Sequence, residues 1–140
     1  MHLALVYLLT IIIFIVIDAP YLYINADLYK NRTNTISGKT YTKRYYSAII
    51  VYLALALGIL VLALPRIRTN KDTPINHRIL DSIIYGGTFG LASYATFDFT
   101  MHFMFDGWDL GVSIMDSIWG GVLCSIVSFI ISYLLFIINN

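Results

Sequence analysis

The stretch YGGTFGLASYATFDFTMHFMFDGWDLGVSIMDSIWGG, residues 85–121, decides the fold. It begins as an apolar helix rich in small residues and passes through a short acidic turn holding Asp106, Trp108 and Asp109. A second apolar helix then carries Asp116, Ser117, Trp119, Gly120 and Gly121. Apolar helix, polar turn, apolar helix is the pattern of a helical hairpin. Asp98 and Asp116 sit inside its two arms, where a carboxylate is expensive and is by default a functional-site candidate.

Composition sets the solvent. The 140 residues are 59% hydrophobic and only 12% charged, against about 25% charged in soluble domains. That balance excludes an ordinary soluble fold and places the chain in a lipid bilayer as an integral, multi-pass membrane protein. The net charge of +1 gives no support to nucleic-acid binding. The single Cys124 lies in an apolar run, forms no intrachain disulfide, and reads as a small packing residue.

Outward from the hairpin, four apolar runs fall at about 3–23, 45–64, 79–105 and 110–138. Each suits the roughly 20 residues that a ~30 Å hydrocarbon core requires. The first run has no basic leader and no small-residue cleavage site, so it is expected to be a span and not a signal peptide. Short connections imply a single domain, residues 1–140: an all-α compact bundle of four antiparallel transmembrane helices.

The polar residues in these runs are patterned. Tyr7, Thr10, Asp18, Tyr21 and Asn25, with Phe14 filling the gap, step by three or four along the first helix and form one face. Asp116, Gly120, Cys124, Ser128 and Ser132 do the same on the last. Gly86 and Gly90 make a Gly-x-x-x-Gly pair that permits close helix approach. Tyr45, Tyr46 and Tyr52 suit an interfacial belt or a pocket wall, and Pro65 ends the second helix.

All nine Lys and Arg are assigned to two loops, with none inside a span. The first loop, residues 26–44, holds Lys30, Arg32, Lys39, Lys43 and Arg44 among Tyr29 and Tyr41. It is a solvated segment or a basic rim for anionic lipid headgroups. The second holds Arg66, Arg68, Lys71 and Arg78. The two loops face opposite sides, and the absence of a basic residue before the first helix puts the first loop in the cytosol.

Antiparallel order brings three acids to one side. Asp18, Asp98 and Asp116 each lie ~8–11 Å inside a helix end at the first-loop side. Tyr94, Thr100, Trp108 and Trp119 are the supporting polar and aromatic candidates, and Asp106, Asp109 and His102 sit just beyond. Three ionised carboxylates do not share a dry site without a proton or cation. Three readings follow. The acids hold a proton or cation in a small transporter or channel, which at four spans implies a homo-oligomer. They serve a lipid-modifying enzyme as acid, base or metal ligands, with Asp98, Asp116 and His102 as the metal candidates. Or they are structural, fixing helix packing through hydrogen bonds. No zinc spacing, phosphate loop or Gly-x-Ser-x-Gly motif selects among them.

The run from Gly90 through Ser93, Tyr94, Asp98 and Thr100, then Gly107-Trp108, then Asp116-Ser117-Ile118-Trp119-Gly120, resembles the DUF2177 family of predicted membrane proteins. Asp18 with Tyr21, and Leu28-Tyr29, resemble its first hairpin. Met101 stands where the family pattern has Asn, and Tyr21 where it has Trp. The resemblance implies a compact four-span protein, of a kind found in bacteria and some large viruses. It implies no activity.

Overall fold

The computed structural model describes residues 2–38 and 43–139. Lys39 and Tyr41 of the basic first segment lie outside the described residues. Within them every regular element is a helix, with no strand. It forms five helices: α1 (Leu3–Ile24), α2 (Ala26–Ser37), α3 (Tyr45–Arg66), α4 (residues 75–104) and α5 (Leu110–Asn139).

Helices α1, α3 and α5 are long and apolar enough to cross a membrane. Helix α4 is as long but less apolar, because Asp81, Ser82, Gly86, Gly87, Gly90, Ser93, Tyr94 and Asp98 interrupt it. It also starts earlier than the hydropathy pattern implies, at Ile75 just after Pro74. Arg78 therefore belongs to a helix and is 2% exposed, which corrects the assignment of every basic residue to a loop. The first loop is corrected too. Residues 26–37 form the polar helix α2, which stops at Gly38 in a left-handed conformation (φ 65°) that glycine adopts without strain.

Two helices contain a wide π turn, each with a local cause. In α3 the turn Ile59–Ala63 precedes Pro65, whose missing N–H ends regular α bonding, and a 3-10 turn closes the helix. In α4 the turn Ser82–Gly87 contains the Gly86-Gly87 pair. That face meets α5 at backbone contact. A Cβ on Gly90 would stand 2.0 Å from the Gly120 carbonyl oxygen, and one on Gly120 would stand 2.3 Å from the Tyr94 ring. Helices α4 and α5 are thus a glycine-fitted spine, as small-residue packing in membranes requires.

Around the spine, α1 buries Val6, Thr10, Phe14 and Asp18 at four-residue spacing. Helix α3 adds Leu55, Ala56, Ile59 and Ala63, and α5 adds Leu123, Cys124, Val127 and Ile131. Many large apolar residues face outward, among them Leu3, Val16, Ile50, Val61, Phe97 and Ile118. Such a surface is unfavourable in water and suits lipid. Helix α2 lies at the end of this core, tied to the α4–α5 turn by an Arg32–Asp109 ion pair at 3.3 Å.

Candidate functional site

Asp18 and Asp116 hold α1 against α5 through a reciprocal clasp. Trp119 Nε1 of α5 donates to Asp18 Oδ1 at 2.8 Å. Tyr21 of α1 donates its hydroxyl to Asp116 Oδ1 at 2.7 Å. The two donor rings stack at 4.4 Å, 5° from parallel. Each helix thus supplies an acid and, three residues on, an aromatic donor on the same face. The antiparallel arrangement lets each donor reach the other helix's acid.

Each acid has a second donor. Tyr52 of α3 donates to Asp18 Oδ2 at 2.7 Å. Tyr29 of α2 donates to Asp116 Oδ1 and lies 3.2 Å from the Tyr21 hydroxyl oxygen. Burial, with the Asp116 and Tyr21 hydrogen bonds behind it, pushes the Tyr29 hydroxyl far above its ordinary pKa. It keeps its proton and acts as a donor. These charge-assisted bonds disperse the charge of two carboxylates without a basic residue.

Asp98 is different. It is 1% exposed, and its Oδ1 has no hydrogen-bond partner among the described residues. It faces a cleft of about 410 Å³ lined also by Asp18 and Asp116, by Ser93, Tyr94 and Phe97 of α4, and by Ala48, Val51, Tyr52 and Leu55 of α3. Among the described residues, the three acids are the only charged side chains in that lining. Phe97 of α4 and Val51 of α3, both on this lining, are 58% and 51% exposed. A smaller cavity of about 170 Å³ lies beside it, bounded by Asp18, Tyr21, Tyr29, Tyr94, Asp116 and Trp119. A third, of about 490 Å³, continues past Leu22 and Tyr29 to Lys43 and Tyr45.

The other sequence candidates divide. Tyr94 packs on Gly120 and lines both acid cavities. Trp119 belongs to the clasp. Trp108 is a positioning residue: its Nε1 donates to Ser113 Oγ at 3.0 Å, and Ser113 reaches the Asp98 carbonyl at 3.4 Å. Thr100 is exposed and lines none of these cavities. The His102 ring lies 2.9 Å from the Trp108 carbonyl oxygen, at Nδ1. Among the described residues no three His, Cys, Asp or Glu side chains come together as a metal site, so Asp98, Asp116 and His102 do not form one ligand set. Helix depth and spacing alone do not pair the tyrosine donors Tyr21, Tyr29 and Tyr52 with the acids. The signal for Tyr21 is present in the sequence: Asp-x-x-aromatic occurs at Asp18–Tyr21 and again at Asp116–Trp119.

Sequence reading also passed over a fourth buried acid. Asp81, 5% exposed, stands near the opposite end of α4. Arg68 grips it with Nε to Oδ2 and a terminal nitrogen to Oδ1, both at 2.8 Å, and with its backbone N–H at 3.0 Å. The Asp81 carboxylate in turn holds the Arg68 guanidinium above its ordinary pKa. Arg78 is buried beside this pair, its guanidinium 4.0 Å from the centre of the Phe136 ring, a cation–π contact.

These features define a small helical membrane protein with a buried acid cleft at one end. A family model for a predicted membrane protein, DUF2177, matches residues 3–134, and the chain belongs to that family. No curated protein and no solved structure matches it.

Proposed function

We propose that the chain is a four-span antiparallel bundle that binds a proton or small cation at Asp98 and works, as a homo-oligomer, in small-cation transport. One observation carries this reading: a buried carboxyl with an unpartnered oxygen on a cleft whose only charged lining groups are acids. A bare carboxylate in such a place costs several kcal/mol. A proton or a cation removes that cost, and reversible removal is what a transport site requires. Asp18 and Asp116, already satisfied by ring donors, fix the walls and add negative potential. Lys30, Arg32, Lys43 and Arg44 lie on or beside α2, where they suit anionic lipid headgroups.

The test is flux in proteoliposomes, with proton, sodium and potassium gradients imposed in turn. The wild-type chain is expected to move one of them, and Asp98→Asn to lower that flux at least tenfold. Equal flux in the two proteins would refute the assignment. The exposed apolar lining at Val51 and Phe97 favours a second reading, an enzyme that draws a membrane lipid to Asp98 as general acid or base. It predicts Asp98-dependent turnover of bilayer lipid with no flux.

A further inference from the structure

The cleft has two unlike parts. Its floor is made of Asp18, Asp98 and Asp116, with Asp98 Oδ1 left without a donor. Its walls are apolar and aromatic: Leu22, Val51, Leu55 and Phe97 with the rings of Tyr52 and Tyr94. Val51 of α3 and Phe97 of α4, both on this lining, are exposed. At about 410 Å³ it falls within the ~300–1,000 Å³ of ligand pockets.

A proton or bare cation accounts for the acids of this lining but leaves its apolar walls without a role. A lipid phosphate meets three acids and, among the described residues, no basic group in that lining. From this mismatch we infer that the cleft takes the ammonium head of a single-chain amphiphile, entering from the bilayer between α3 and α4. The head lies against Asp98, where its charge removes the cost of the bare carboxylate. Tyr52, Tyr94 and Phe97 are the ring surfaces that quaternary and protonated amines favour. The chain stays along Val51 and Leu55 and leaves between Val51 and Phe97 into lipid. The inference rests on the proposed cation-binding role of Asp98 and names the substrate class for it.

The experiment uses the full chain in nanodiscs of zwitterionic lipid, with radiolabelled dodecyltrimethylammonium as probe. Binding is read as the saturable excess over empty discs. Tetramethylammonium supplies the head without a tail, and a neutral dodecyl glucoside the tail without charge. Proton and sodium binding are measured on the same samples. The expected result is saturable binding of the amphiphile, with competition by either half at least tenfold weaker. Asp98→Asn and Val51→Trp, which fills that exit, are each expected to weaken it at least tenfold. Ile12→Ala, on the outer face of α1, is the matched control and binds as wild type.

If proton or sodium binding depends on Asp98 but the amphiphile binds no better than tetramethylammonium, the amphiphile inference is overturned and the cation role stands. If Asp98→Asn changes no binding, both fall. Should Asp98→Asn not fold, Val51→Trp decides: wild-type binding of the amphiphile by that variant overturns the inference.

Discussion

Helix α4 carries one buried acid towards each end, and the two are treated in opposite ways. Asp81 receives a two-toothed guanidinium grip and a backbone N–H from Arg68. Asp98, 17 residues further along by numbering and so ~25 Å away, has an oxygen with no partner among the described residues. Burial does not separate them, since both are nearly inaccessible. Compensation does. A carboxylate matched by a fixed internal cation has nothing to exchange and reads as a fastener. One left open towards a cleft has its compensation still to be supplied, and that is the condition for a binding site. Asp18 and Asp116 fall between the two, satisfied by neutral donors and still facing the cavity.

The largest effect is expected where both ends depend on one feature. The α4–α5 spine closes on Gly90, where any side chain meets the Gly120 carbonyl. Gly90→Leu should destabilise by ~3 kcal/mol through overpacking, lowering stability and Asp98-dependent binding together. A variant that loses binding and keeps wild-type thermal stability would show that the acid end does not need the spine.

Splitting the ends is the sharper experiment. Asp98→Asn should lower cation binding at least tenfold, about 1.4 kcal/mol, while leaving the unfolding temperature unchanged or raised, because an uncompensated buried charge is removed. Asp81→Asn should do the reverse. It leaves Arg68 facing a neutral amide, and the unfolding temperature should fall by roughly 5 °C with cation binding per folded molecule intact. If the two substitutions behave alike in thermal scans and binding assays, the distinction between fastener and site is lost.

Much of this was legible before any coordinates. Low charge and long apolar runs specify a helical membrane protein, and the positions of Asp18, Asp98 and Asp116 along their helices place them at one end. What hydropathy does not encode is rotation and partnership. Thr100 is two residues from Asp98 and shares its depth, but its side chain turns out of the site. Arg78 is as basic as Lys71 in composition, and only the helix start at Ile75 and the rings of α5 bury it. Residues 26–37 read as loop because they lack an apolar face. As the helix α2 they are tied to the bundle at Tyr29, which reaches Asp116 and Tyr21, and at Arg32, which pairs with Asp109. Helix α4 is the hardest case, because the glycines and hydroxyls that suit it to packing on α5 are the residues that lower its apolar signal.

The smallest expected effect tests whether the clasp is one unit. Tyr21 and Trp119 stack on each other and serve each other's acid. Tyr21→Phe removes one donor and keeps the ring, and Asp116 retains Tyr29 as donor, so the loss should be about 1 kcal/mol. Trp119→Phe removes the indole N–H and shrinks the stacked surface, and Asp18 retains Tyr52, so a loss of about 1 kcal/mol is again expected. Because the rings touch, the double substitution should depart from the sum by roughly 0.5–1 kcal/mol. Denaturation of the four proteins in detergent measures this directly. Strict additivity would mean that Asp18 and Asp116 are held independently, and the acid cleft would then have two separate walls instead of one clasped frame around Asp98.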